Sequence, residues 1–202
     1  MTRTIALAAV ATLASGGALL AQDGPSFDCA RAESSAEKMV CEDAGLAALD
    51  QVVATRYQAA LDVARGLDAG ADKAEADLKA FQRGWIGGRD DCWKADDPRA
   101  CIQFSYERRE AELVTQFMLK EPTNVVTWTC DTNAEITTYY YDTTLPSVRI
   151  EYGDSILTGT LSPTGSGARY DTDFGGYIWE HQGELTFRTP DPDGQEMTCT
   201  PA

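Results

Sequence analysis

The chain has 202 residues, with 32 aspartates and glutamates against 17 lysines and arginines, a formal charge of −15 at neutral pH with its one histidine neutral. That balance argues against nucleic acid, whose affinity comes largely from a basic stripe, and against anionic membrane surfaces; it would steer a basic protein partner toward the chain. The length allows one or two domains with modest cores.

Residues 1–21 open on Met1-Thr2-Arg3, run through an apolar, acid-free stretch from Thr4 to Leu20, and close in Ala18-Leu19-Leu20-Ala21. This reads as a secretory signal peptide cleaved after Ala21, too short and alanine-rich for a membrane span. A lipoprotein needs a cysteine at the cleavage point, and the first cysteine is Cys29. The expected product is a soluble periplasmic protein with no membrane anchor. Its six cysteines, an even number in an exported chain, read as three disulfides. Wide cysteine spacing and a lone His181 argue against zinc, and no metal or other cofactor is expected.

From Phe27 to about Leu119 the pattern is helical. Ser34-Ser35-Ala36-Glu37 is a capping box opening a short helix that ends near Cys41. Leu46, Leu49, Val53, Tyr57, Leu61, Ala64 and Leu67 form one apolar stripe of a second helix, which Gly66 to Gly70 breaks. A third helix from Asp72 carries Leu78, Phe81, Trp85 and Ile86, and Gly87-Gly88 is expected to end or bend it. Asp97-Pro98 supplies an N-cap and a proline at the first turn of the last helix. Its inner side carries Ile102, Tyr106, Arg109, Leu113 and Phe117. Amphipathic helices with short connections favour an antiparallel bundle, and one so small calls for disulfide staples. Cys29 and Cys41 flank the first helix, and Cys92 and Cys101 flank the connection into the last. Pairing within each couple is expected, although four cysteines allow three connectivities.

Pro122 breaks the helix, and the period then changes to two. Val126, Trp128 and Cys130 alternate with threonines, and Val148, Ile150 and Tyr152 with Ser147, Arg149 and Glu151. Further strands are expected over residues 135–141, 155–161, 177–180, 184–188 and 196–200. Seven or eight short strands in this space imply a small antiparallel barrel or sandwich, with Cys130 and Cys199 joining its terminal strands. Ser162 to Tyr170 reads as a glycine-punctuated loop carrying a hydroxyl, a guanidinium and a phenol. Glycines flank Ser166, allowing φ > 0, and Pro163 cannot donate to a ladder. The local pattern allows either a plain hairpin turn or a recognition finger.

Two resemblances bear on that choice. Phe27-Asp28-Cys29-Ala30, Glu37 to Cys41, Leu46 to Asp50, Gln82 to Ile86, Arg89 to Cys92, Cys101-Ile102 and Tyr106 to Arg109 resemble the LprI-type N-terminal domain, a family associated with lysozyme inhibition. No site residue carries over from it; Arg83, Trp85 and Arg89 read as structural, a buried ring and ion-paired guanidiniums. Trp128-Thr129-Cys130, Ser166-Gly167-Ala168-Arg169-Tyr170, Trp179 and Cys199 resemble the membrane-bound and periplasmic inhibitors of c-type lysozyme (MliC/PliC). That resemblance implies a barrel whose loop enters the lysozyme cleft, Ser166 meeting the catalytic carboxylates. Ser166, Gly167, Arg169, Tyr170, His181 and Gln182 are the expected lysozyme-binding residues, with Tyr170 holding the loop shape and Arg169 as rim contact or internal brace. The family's usual lysine–glycine pair is replaced here by His181-Gln182-Gly183, so His181 or Gln182 would make the second contact.

The chain thus reads as an α+β two-domain protein. A disulfide-stapled antiparallel helical bundle covers residues 26–119 and a small antiparallel β-barrel residues 125–202. No motif points to catalysis: there is no H-E-x-x-H, and Gly165-Ser166-Gly167 lacks a strand-to-helix phosphate context. The expected function is non-enzymatic, a periplasmic inhibitor of c-type lysozyme. The alternative is a non-inhibitory envelope module that binds peptidoglycan fragments or another periplasmic protein. The sequence gives no sign of an oligomeric state.

Overall fold

The computed structural model describes residues 24–192 and 194–202; the expected leader over residues 1–21 lies outside them. Four helices come first: α1 (Ser35–Glu42), α2 (Ala44–Arg65), α3 (Ala71–Asp90) and α4 (Pro98–Phe117). Each start has a local cause. Ser34 Oγ accepts from Glu37 N at 3.0 Å while the Glu37 carboxylate accepts from Ser34 N, satisfying two otherwise orphaned donors at the head of α1. Asp43 caps α2 and holds Arg99 of α4 at 2.7 Å, and Asp97 caps α4 ahead of Pro98. Val40, Leu46, Val53, Leu61, Leu78, Ile102 and Leu113 close over one another as the helical core. Disulfides join Cys29 to Cys41 and Cys92 to Cys101.

Helix α3 does not stop at Gly87-Gly88 but continues to Asp90. Two mid-helix glycines cost about 1 kcal/mol each relative to alanine. The offset is tertiary and comes from the next residue. Arg89 is 4 % exposed, and its Nη1 donates to Tyr106 Oη at 2.8 Å while Nε donates to Asp90 at 3.0 Å. The Tyr106 hydroxyl in turn donates to Asp50 of α2 at 2.9 Å. Trp85 meets Tyr106 edge-on at 5.3 Å and donates to Ser105 O. Arg83, expected to be ion-paired, is exposed and pairs with no carboxylate among the described residues, because it faces solvent on α3.

Eight strands follow: β1 (Asn124–Cys130), β2 (Glu135–Tyr141), β3 (Ser147–Tyr152), β4 (Ser155–Ser162), β5 (Ala168–Asp171), β6 (Tyr177–His181), β7 (Glu184–Arg188) and β8 (Glu196–Pro201). Each pairs antiparallel with the next, and β1 also pairs with β8, so the sheet closes into a barrel and leaves no edge. Cys130 lies opposite Cys199 in the β1–β8 register and is bonded to it. Alternate residues fill the interior: Trp128, Ile136, Val148, Ile150, Ile178, Leu185, Phe187 and Met197. Strand β5 lies where the sequence reads as loop. Its four residues are made a strand by pairing on both sides, Ser162 with Arg169 and Arg169 with Trp179.

The outer faces of β3 and β4 are covered by α4. Arg149, outward-facing on β3, is buried there; its Nη1 donates to Thr115 O at 3.0 Å and Gln116 O at 3.1 Å, and Nε donates to Glu151 at 2.7 Å. A guanidinium thus satisfies carbonyls at the C-terminal end of α4, where the helix dipole favours a cation. Glu110 accepts from Thr144 N at 3.0 Å, and the Thr115 and Thr158 hydroxyls meet at 2.7 Å.

Burial pushes the phenols of Tyr106 and Tyr140 above their ordinary 10.0, with the Asp50 carboxylate beside the first and Glu180 beside the second adding to the shift. A raised folded pKa means that the stabilising contribution is complete below the unfolded value and is lost as pH rises beyond it. The folded protein should therefore lose stability above about pH 10. Phenolate absorbance followed during alkaline titration should rise late and together with unfolding; early ionisation of every tyrosine without unfolding would contradict this.

Candidate functional site

In an antiparallel meander alternate connections share an end. The β2–β3, β4–β5 and β6–β7 connections therefore lie together. The β4–β5 connection is the loop Pro163 to Gly167, shorter than the sequence suggests because Ala168, Arg169 and Tyr170 belong to β5.

The loop is fixed from below by β6. Trp179 Nε1 donates to Ser166 O at 2.9 Å, and Thr164 Oγ1 donates to the same carbonyl at 3.2 Å. Gly167 lies directly against β6. Its φ is +70°, and a Cβ there would fall 2.0 Å from Glu180 O and 3.1 Å from Trp179 Nε1. Only glycine accepts both the left-handed backbone and the close approach. Gly165 has open space around it, so of the two flanking glycines only Gly167 is demanded by the geometry. Ser166 is exposed, and among the described residues its hydroxyl has no hydrogen-bond partner. The main chain of the tip is held while the side chain remains free to donate and accept.

The other expected site residues fall in three places. Arg169 lies on the outer wall of β5, its Nε donating to Asp171 at 2.7 Å and its guanidinium 3.9 Å over the Tyr177 ring. Tyr170 turns inward and meets Tyr140 edge-on at 5.7 Å, and the Tyr140 hydroxyl donates to the Glu180 carboxylate under the loop. His181 ends β6 and stacks on Trp179 at 5.1 Å with 18° between planes. Gln182 and Gly183, with φ of 52° and 88°, make the two-residue turn into β7, and Gln182 is exposed at its tip. Ser166 and Gln182 are therefore the exposed polar side chains of two neighbouring tips, and His181 reaches the loop through Trp179. Sequence reasoning missed the Trp179 tie and the Tyr140–Glu180 floor. The cross-strand pair Arg169–Trp179 is the signal for the first, and it appears only once β5 is recognised.

The described residues thus form a closed, disulfide-joined barrel that presents a clamped loop with an exposed hydroxyl. Residues 128–196 match the family described as "Membrane-bound lysozyme-inhibitor of c-type lysozyme". The chain is also 33% identical over 165 residues to lipoprotein LprI of Mycobacterium tuberculosis and to that of Mycobacterium bovis, the match covering 80% of this chain and 78% of the relative. The chain belongs to the LprI family, with an LprI-type helical half followed by an MliC-type barrel. No solved structure matches it significantly. No helix among the described residues is long and apolar enough to cross a membrane.

Proposed function

We propose that the protein inhibits c-type lysozyme by placing the Pro163 to Gly167 loop in the enzyme's active-site cleft, with Ser166 leading. The observation that carries this reading is the tip itself, an exposed hydroxyl with no partner among the described residues, on main chain held by Trp179 and Gly167. A glycosidase cleft holds two carboxylates flanking the scissile bond, one of them protonated as general acid. A hydroxyl can donate to the ionised group and accept from the protonated one, so a single serine suits the pair. Pre-ordering of the loop keeps the entropic cost of binding low. Gln182, at the adjacent tip, makes the second polar contact, and the charge of −15 raises the encounter rate with a basic enzyme.

The setting we propose is the cell envelope outside the cytoplasm, where three disulfides persist. The mycobacterial relatives are named lipoproteins. For this chain we favour a form without lipid on Cys29, since that sulfur is bonded to Cys41 and a thioether would need it free.

Steady-state lysis of peptidoglycan by a c-type lysozyme tests the reading. Added protein should inhibit competitively with a chitin oligosaccharide that fills the cleft. Inhibition that is indifferent to the oligosaccharide would place the contact elsewhere and overturn it.

A further inference from the structure

A second concave site lies in the helical half, with no barrel residue in its lining. It is a cavity of about 530 Å³ between the N-terminal stretch, α2 and α3, a size that suits a small ligand. Phe27, Tyr57 and Trp85, each half-buried, form its aromatic walls. Ile86 also lines it while 37% exposed, so the cavity is open to solvent. The lysozyme reading uses none of these residues.

The polar part of the lining carries uncompensated charge. Asp50 is 6% exposed, and its carboxylate accepts from Tyr106 Oη at 2.9 Å and from Ser26 N but forms no ion pair among the described residues. Glu37 accepts through Oε2 from the Glu33 and Ser34 backbone N–H groups. Those donors hold its carboxyl below the ordinary carboxylate range, so it is ionised at neutral pH, and its Oε1 has no partner among the described residues. The single cation of the lining, Arg89, pairs with Asp90 at 2.7 Å and reaches Asp50 only through the Tyr106 hydroxyl. Three carboxylates around one guanidinium leave a negative surplus, and a buried carboxylate without a cation is costly. A cation from solvent would relieve it. No three such groups among the described residues converge to hold a metal ion. Aromatic walls suit an organic cation, since ring faces attract an ammonium and cover its carbon chain.

We propose that this cavity binds a primary alkylammonium group, its charge facing Asp50 and Glu37 and its carbon chain against Tyr57 and Trp85. The test follows the indole N–H resonances of the full exported chain by NMR as n-hexylammonium is added, with n-hexanol and hexanoate as controls. The Trp85 resonance, assigned by its loss in Trp85→Phe, should shift saturably, and that of Trp179, which reports the Ser166 loop, should stay in place. Hexanol and hexanoate should each bind at least about tenfold more weakly. Asp50→Asn should weaken hexylammonium binding about tenfold or more. Glu37→Gln keeps the capping box, since glutamine also serves there, and should weaken binding about threefold without lowering the melting temperature. Nα-acetyl-lysine methylamide binding as tightly as hexylammonium would support the site and assign the group to a peptide side chain; weaker binding beside a tight hexylammonium would support it with a free amine as ligand. Ser166→Ala should bind hexylammonium as the parent does, which separates failure here from failure of the lysozyme reading. An unmoved Trp85 resonance, hexanol binding as tightly as hexylammonium, or parent-like affinity in both carboxylate variants would overturn the proposal.

Discussion

Replacing Gly167 by alanine should destabilise the barrel by about 2–5 kcal/mol, the sum of a left-handed backbone penalty and an overpacking term. The clash is with backbone: the added Cβ would lie 2.0 Å from Glu180 O, in a strand paired on both sides. No rotamer change relieves it. Either the β5–β6 ladder opens at Ala168–Glu180 or the loop lifts, and both break the Trp179–Ser166 hydrogen bond. Denaturant unfolding should show a lower midpoint, and inhibition of lysozyme should be lost along with it. Gly165→Ala, with nothing within 4 Å of its added Cβ, is the matched control and should retain both. A Gly167→Ala protein as stable as the parent would show that the loop is not held as described.

The second large effect lies at the junction. Arg149→Met should cost about 2–4 kcal/mol, because a buried guanidinium with three hydrogen-bond partners is removed and two carbonyls at the end of α4 lose their donor. The change preserves much of the buried volume, so lost packing contributes little. Calorimetry should show the single transition of the parent replaced by two, as the helical half and the barrel uncouple. A variant that melts as one unit at the parent's temperature would mean that the interface is carried by other contacts, such as Glu110 to Thr144 N.

What the sequence discloses and what it hides divide along a physical line. The start of α1 at Ser34 and of α4 at Asp97-Pro98 was legible because caps are local chemistry, complete within four residues. The alternation of Val148 and Ile150 with Arg149 separates the arginine from the two core residues onto the other face of β3. Nothing local says that α4 covers that face, so the burial of Arg149 was not legible. Gly87-Gly88 is a stop signal by propensity, and it was overridden by Arg89 reaching Tyr106 on another helix. Strand β5 has four residues and owes its state to neighbours on both sides, so its sequence reads as more loop. At the candidate site, the Pro163 to Gly167 connection is legible as a glycine-punctuated loop, and its mounting is not. The tie from Trp179 to Ser166 O joins residues thirteen apart and exists only after β5 and β6 pair.

In the proposed mode of inhibition the Ser166 hydroxyl meets the catalytic carboxylates of a c-type lysozyme. The most direct measurement is the inhibition constant of Ser166→Ala against that of the parent, with circular dichroism showing the barrel unchanged. A hydrogen bond to a charged group contributes about 1.5–3 kcal/mol, so inhibition should weaken about 10- to 150-fold. Ser166→Ala inhibiting as strongly as the parent would contradict the claim.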